Sequence, residues 1–177
     1  GVTPGRREAK GRLGDLDFDL IDTAGFEDAT DASLEARMRA QTEFAIADAD
    51  VILFLIDARV GVTPVDEGFA ALLRRADKPV VLAANKAESK ASTAGVHEAY
   101  GLGLGEPVAI SAEHGEGMGD LFAAIAAVAP QGGSDETDAA KRPINLAIIG
   151  RPNAGKSTLV HALIGEEIGR ASCRERV

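Results

Sequence analysis

The segment GRPNAGKS at residues 150–157 has residue types and a spacing that suit the binding of phosphate groups. In such a loop the backbone N–H groups converge on phosphate oxygens, and the helix that follows adds partial positive charge. Lys156 can reach terminal phosphates, and Ser157 can ligate Mg²⁺. The alternative is an ordinary glycine-containing turn with a helix cap. An apolar strand before the loop and a helix-forming run after it favour phosphate binding.

The segment DTAG at residues 22–25 also follows an apolar run. Asp22 can hold Mg²⁺ through a water molecule, and Gly25 can offer its backbone N–H to a terminal phosphate. Taken alone the signal is weak, because aspartate and glycine are common in the turns that end strands.

Two more polar segments could recognise a nucleotide base. In AANKAE, which contains Asn85, the carboxylate of Glu88 can accept two hydrogen bonds from a guanine edge while the stem of Lys86 covers the ring. In AISAEHGEG, the backbone N–H groups of Ser111 and Ala112 could meet the base oxygen. In isolation a polar helix start is the better explanation of the first segment, and a simple loop explains the second.

The elements that position these segments are visible in the hydrophobic pattern. The continuous apolar runs VILFLID, PVVLAAN, PVAISA and INLAIIG predict parallel strands buried on both faces. The stretches PVDEGFAALLRRAD, TAGVHEAYGL and MGDLFAAIAAVA predict helices between them, and another helix is expected from Ser33 to about Ala47. GRLGDLDFDLID predicts a hairpin that turns at Gly14 and Asp15.

Strands that alternate with helices predict an α/β fold with a doubly wound, mostly parallel sheet, helices on both faces and one antiparallel hairpin strand. Each of the four polar segments follows the carboxyl end of a predicted strand. An open sheet binds its ligand at that edge, so we expect the four segments to form one site.

Composition narrows the classes of function. A net charge of −9 over 177 residues argues against direct RNA binding, since nucleic-acid-binding surfaces are usually basic. No apolar run approaches the roughly 20 residues that span a bilayer, and the amino end has no signal pattern. We therefore expect a cytoplasmic protein with no membrane partner. The single cysteine, Cys173, cannot form an internal disulfide.

A polar segment without periodicity predicts a linker at residues 130–142, between units at 1–129 and 143–167. The first residue is not methionine, which suggests a missing amino end. The basic decapeptide at 168–177 is expected to be foreign; a genuine basic tail is the alternative.

The combination of segments resembles the GTP-binding domains of the translation-factor-related GTPases. The stretches GVTPGRRE, DFDLIDTAGFED, LIDARVGVTPVDE, VVLAANKAE and SAEHGEGMGDL are most similar to the bacterial Der (EngA) family, which has two tandem GTPase domains and a KH-like domain. The resemblance extends to Glu167 and implies a P-loop GTPase fold. It also implies a fragment: a first domain without its opening strand and phosphate loop, the linker, and the start of a second domain.

The resemblance implies roles for particular residues. The switch threonine that closes on Mg²⁺ corresponds to Thr3, and Asn153 corresponds to an asparagine associated with a K⁺ ion. The expected catalytic residues are Lys156, Asn153, Thr3 and Gly25, and the expected metal ligands are Ser157, Thr3 and Asp22. The expected nucleotide-binding residues are Gly150, Asn153, Ala154, Gly155, Lys156, Ser157, Thr158, Asp22, Thr23, Ala24, Gly25, Asn85, Lys86, Glu88, Ser111 and Ala112.

The sequence departs from the family pattern in three places. Pro4 and Gly5 stand where the family usually has Arg-Asp, and Glu88 replaces the commoner aspartate. Lys156 and Asp22 correspond to different domains of the family. Phe26 occupies the position where many GTPases have a water-orienting glutamine, and the family likewise has a hydrophobic residue there.

The resemblance implies GTP binding and hydrolysis, with the parent protein acting in large ribosomal subunit assembly. One alternative is a fragment that binds guanine nucleotide incompletely and does not turn it over; a P-loop ATPase is a further alternative, which Glu88 disfavours. We predict that residues 143–164 fill the slot of the missing strand and loop, which would bring Lys156 near Asp22 and Gly25.

Overall fold

The computed structural model describes residues 7–22, 33–130 and 143–164. Six strands lie within these ranges: β1 (Arg7–Leu13), β2 (Leu16–Asp22), β3 (Val51–Asp57), β4 (Val80–Asn85), β5 (Val108–Ala109) and β6 (Ile144–Ile149). The helices are α1 (Ser33–Asp48), α2 (Pro64–Arg75), α3 (Thr93–Ala99), α4 (Met118–Val128) and α5, which is helical from 156 to the last described residue, 164. Short 3₁₀ turns at Lys90–Ser92 and Tyr100–Leu102 flank α3.

The six strands form one sheet in the order β1-β2-β6-β3-β4-β5. Only β1 and β2 are antiparallel, and they are joined by the two-residue turn at Gly14 and Asp15. All other neighbouring strands are parallel. The predicted α/β class and the predicted hairpin are therefore confirmed.

Strand β6 follows its neighbours in the chain but lies in the middle of the sheet. It pairs with β2 on one side and with β3 on the other. Leu146 is opposite Leu20 of β2 and Val51 of β3, and the three side chains are fully buried. Strand β6 thus lies between β2 and β3. The assignment of 1–129 and 143–167 to two domains stays a prediction.

Side chains alternate between two cores, one on each face of the sheet, because successive residues of a strand point to opposite faces. From β3, Leu53 and Leu55 join one core, while Ile52, Phe54 and Ile56 join the other. The first core is covered by α4 and α5, through Leu121, Ile125, Leu159 and Leu163. The second is covered by α1, α2 and α3, through Ala45, Phe69, Ala70, Leu73 and Ala99. Helices on both faces were predicted, and this too is confirmed.

Strand β5 is shorter than the apolar run PVAISA predicts. Ile110 still donates its N–H to the carbonyl of Ala84 on β4 over 2.9 Å. The next residue, Ser111, instead exchanges two 3.0 Å backbone hydrogen bonds with Glu116. The loop from 111 to 116 therefore closes on itself and ends the parallel pairing.

Several predicted features lie outside the described residues. They are Thr3, Pro4, Gly5, Thr23, Ala24, Gly25, Phe26, Cys173, linker residues 131–142 and the tail at 168–177. Asp22 is described as the last residue of β2, without its side chain. Across the three described ranges, no helix is both long and apolar enough to cross a bilayer.

Candidate functional site

The predicted phosphate loop connects the end of β6 to the start of α5 at the carboxyl edge of the sheet. Its first residue, Gly150, lies against β3: a Cβ atom at this position would be 2.6 Å from the carbonyl oxygen of Leu55. Asn153 and Gly155 both have positive φ angles, 68° and 103°. Glycine is thus needed where the loop leaves the sheet, and the left-handed residues turn the chain into the helix.

Lys156 lies across this loop. Its side chain is buried, and Nζ donates to the carbonyl oxygens of Gly150 and of Arg151, the latter over 3.3 Å. Ser157 and Thr158, in the first turn of α5, are exposed. The first N–H groups of a helix have no acceptor within the helix, so this turn can bind an anion. The amine of Lys156 lies at the carbonyls of Gly150 and Arg151, where the loop begins.

Asn85 joins the phosphate loop to the predicted base-binding segments. Its amide is buried at the end of β4, where Nδ2 donates to the carbonyl of Ala154 over 3.0 Å. Oδ1 accepts the backbone N–H of Ala112 over 3.0 Å. A Cβ atom on Gly155 would lie 2.1 Å from Nδ2, so the loop can approach Asn85 only as glycine. One side chain therefore connects three segments of the chain.

Lys86 makes a second connection between the same segments. Nζ donates to the carbonyl of Asn153 over 2.7 Å and to Oδ2 of Asp57 over 2.9 Å. The residue has a φ of 63°, which is uncommon for a side chain other than glycine. The predicted base-binding segment thus turns sharply where it passes the phosphate loop.

Glu88 and Ser111 lie side by side next to that turn. Glu88 is exposed, and a hydrogen bond from its own backbone N–H lowers its pKa. Desolvation opposes this effect, while a hydrogen bond with the Ser111 side chain and the charge of His114 lower the pKa further. Ser111 and Ala112 are buried. At neutral pH the Glu88 carboxylate is therefore ionised and can accept hydrogen bonds from a ligand.

A group of charged residues at the phosphate loop was not predicted from the sequence. Arg151 lies between two aspartates: Nη2 is 3.8 Å from Oδ2 of Asp57, and Nε is 3.7 Å from Oδ2 of Asp66. Both carboxylates are buried. Two signals in the sequence could have indicated this group. Asp57 ends an apolar run, as Asp22 and Asn85 do, and the segment TPVD at 63–66 fits a helix cap.

The two aspartates have opposite pKa shifts. Burial raises the pKa of Asp66 above its usual value, although hydrogen bonds from the N–H and hydroxyl of Thr63 act against the rise. For Asp57, burial also raises the pKa, but hydrogen bonds from Lys86 and from the backbone N–H of Arg59 outweigh it and the pKa is lowered. Asp57 is thus held as a carboxylate by its partners.

The predicted metal ligands are only partly described. Ser157 is exposed at the helix start, and the Cα of Asp22 pairs with Ile148, two residues before Gly150. A hydroxyl and a carboxylate are ligands that Mg²⁺ prefers. Asp22 ends β2, and Ser157 begins the helix that follows the loop after β6. Among the described side chains, Glu88, Glu113 and His114 form a group with ligand atoms within 4.8 Å of one another, and all three are exposed.

Comparison with known proteins gives a consistent picture. A family described as 50S ribosome-binding GTPase matches residues 1–86 and 145–175. The chain is 59% identical over 176 residues to a protein named GTPase Der from Azorhizobium caulinodans, and 56% identical over 177 residues to GTPase Der from Rhodopseudomonas palustris strain TIE-1. Each alignment covers 94% of this chain and 39% of the relative, so the chain spans about two fifths of the length of these relatives.

Proposed function

The chain belongs to the 50S ribosome-binding GTPase family, and on that premise we propose that it binds a guanine nucleotide and hydrolyses GTP at the carboxyl edge of its sheet. We further propose that the whole protein acts in the assembly of the large ribosomal subunit. The family description and the name of the relatives, GTPase Der, support both proposals. A cytoplasmic location remains part of this proposal.

The observation that carries nucleotide binding is the position of Asn85. A nucleotide needs a phosphate site and a base site at a fixed separation. Asn85 hydrogen-bonds to the phosphate loop at Ala154 and to the predicted base loop at Ala112, and it is buried between them. Phosphate loop and base loop are therefore parts of one structure, although 69 residues separate Asn85 from Ala154 in the chain.

Within this proposal, the phosphates bind at the amino end of α5, where Lys156 supplies positive charge. Glu88 accepts hydrogen bonds from the guanine edge. The expected contact of the Ser111 and Ala112 N–H groups with the base oxygen is not kept in this proposal, because these groups already donate to the Glu116 carbonyl and to Oδ1 of Asn85. Ser157 and Asp22 would hold Mg²⁺, together with Thr3. The metal would neutralise charge on the terminal phosphates. Asn153 would contribute to a K⁺ site.

Binding without turnover is a second candidate. It is favoured by the departures at Pro4 and Gly5, which neighbour the expected switch threonine. Adenine specificity is less well supported. The exposed carboxylate of Glu88 can accept hydrogen bonds from the two donors of a guanine edge, and adenine offers no matching pair of donors.

Calorimetric titration with GDP and with ADP tests the proposal, in buffer that contains K⁺ and Mg²⁺. We expect saturable binding of GDP and none of ADP, and we expect Lys156→Ala to weaken GDP binding by about tenfold or more, the scale of a charge-assisted hydrogen bond. Lys10→Ala is the matched control, because Lys10 is exposed on β1 and pairs only with Asp19 at 3.2 Å among the described residues.

Equal binding of both nucleotides, or GDP binding that survives Lys156→Ala unchanged, contradicts the proposed site. Phosphate release from GTP under the same conditions then separates hydrolysis from binding alone. Cosedimentation with isolated large ribosomal subunits tests the proposed partner.

A further inference from the structure

Asp57 occupies a central position in the candidate site that neither its sequence context nor the family match assigns. It ends β3, the strand between β6, which leads into the phosphate loop, and β4, which leads into the predicted base-binding segment at 85–88. Its two carboxylate oxygens have separate partners. Oδ1 accepts the backbone N–H groups of Arg59 and Val60, over 2.9 and 3.3 Å. This fixes the orientation of the carboxylate and directs Oδ2 towards the site.

Oδ2 faces two cations from two different loops. The ammonium of Lys86 lies 2.9 Å away, and it also donates to the carbonyl of Asn153 in the phosphate loop. Without Asp57, the single remaining bond to Asn153 would have to hold a flexible side chain with three rotatable donors. The carboxylate therefore limits where the Lys86 ammonium can lie, and with it the contact between the two loops.

Arg151 is the second cation, and it belongs to the phosphate loop itself. Nη2 lies 3.8 Å from Oδ2 of Asp57, while Nε lies 3.7 Å from Asp66, which is anchored by Thr63. Both nitrogens are buried and make no direct hydrogen bond. The attraction is thus electrostatic and acts in a poorly solvated place, where screening is weak.

We propose that Asp57 is a positioning residue that couples the phosphate loop to the predicted base-binding segment at 85–88, by holding Lys86 and Arg151 in fixed positions at once. The proposal rests on the proposed function for its consequence, namely that this coupling raises the affinity for a guanine nucleotide. The coupling itself is a property of the free protein.

Asp57→Asn tests the coupling with minimal change of shape. The asparagine oxygen can still accept the N–H groups of Arg59 and Val60, whereas an amide donor replaces the oxygen that faces Lys86 and Arg151. We expect faster amide hydrogen exchange, measured by mass spectrometry, in peptides that cover 85–89 and 150–157. We also expect GDP affinity to fall about tenfold, the scale of one charge-assisted hydrogen bond. Asp19→Asn is the control, because it removes an exposed ion pair with Lys10 on the neighbouring hairpin.

A second variant separates coupling from general loosening. Arg151→Gln removes the ion pairs of Arg151 with Asp57 and Asp66 and leaves the pair of Asp57 with Lys86 in place. Exchange should therefore increase in 150–157 and stay unchanged in 85–89. If Asp57→Asn unfolds the protein, this asymmetry still decides the question, because equal acceleration in both peptides contradicts two separate links.

The opposite result for GDP is equally informative. If Asp57 acted only through its charge, removing a negative group beside the phosphate loop would strengthen GDP binding, and that outcome overturns the proposal. Unchanged exchange in both peptides overturns it as well. A wild-type protein that does not bind GDP, combined with faster exchange in both peptides of Asp57→Asn, would refute the proposed function and leave the coupling supported.

Discussion

Replacement of Leu146 by alanine tests whether the late strand β6 is an integral part of the core. Leu146 is fully buried and has buried neighbours on both sides, Leu20 on β2 and Val51 on β3. Truncation removes about three buried carbon atoms, worth roughly 0.8 kcal/mol each in transfer free energy, and leaves a cavity. The sum is about 2–5 kcal/mol, against a total stability of about 5–15 kcal/mol for a typical domain. A large fraction of the stability therefore depends on this one side chain.

Urea unfolding monitored by circular dichroism measures the change. Leu53→Ala is the matched positive control, because Leu53 is equally buried in the same core but lies on β3. Val60→Ala is the negative control, since Val60 is 62% exposed. Leu146→Ala and Leu53→Ala should cost similar free energies of unfolding. If Leu146→Ala behaves like Val60→Ala while Leu53→Ala is strongly destabilising, β6 does not belong to the sheet. The candidate site, which depends on the loop after β6, then cannot form.

Two further predictions concern the site. Gly155→Ala should destabilise the protein by about 1–3 kcal/mol, because φ is 103° and the new Cβ would meet Nδ2 of Asn85. Gly119→Ala is the control and should not destabilise it, because a Cβ at this position would meet no atom within 4 Å. Urea unfolding of both variants measures the difference. The pKa of Asp57 is lowered from about 3.8, so its ionised form stabilises the folded state above that pH and the contribution is lost as pH falls through the folded pKa. The stability gap between wild type and Asp57→Asn should hence shrink on acidification from pH 7 to below about 3.8, and a constant gap would contradict this charge assignment.

Local patterns were sufficient to predict most elements of the fold. The hairpin about Gly14 and the buried strands β3, β4 and β6 follow from period-two alternation or continuous apolar runs, which depend on residues close in sequence. The early end of β5 was not predicted, because it depends on the two bonds between Ser111 and Glu116 rather than on hydrophobicity. Such competition between backbone partners leaves no periodic signal.

The segments of the candidate site could be predicted from the sequence, but the hydrogen bonds and ion pairs between them could not. The residue types of the phosphate loop indicate phosphate chemistry by themselves, and the bonds from Asn85 and Lys86 to that loop depend on which strands are neighbours. The group of Asp57, Asp66 and Arg151 was missed for the same reason. A buried arginine between two aspartates is defined by distances between residues far apart in the chain, and no spacing within one segment encodes it.

The central position of β6 has a consequence for the order in which the protein is made. Strands β2 and β3 leave the ribosome long before the strand that separates them: Asn145 bonds to Asp50 across 95 residues of sequence. Until β6 is available, the edges of β2 and β3 that would pair with it are exposed and apolar. Such edges favour pairing with other chains. Contacts between such distant residues also close slowly. A chain with this order of elements gains its phosphate loop and the strand between β2 and β3 in the same late step.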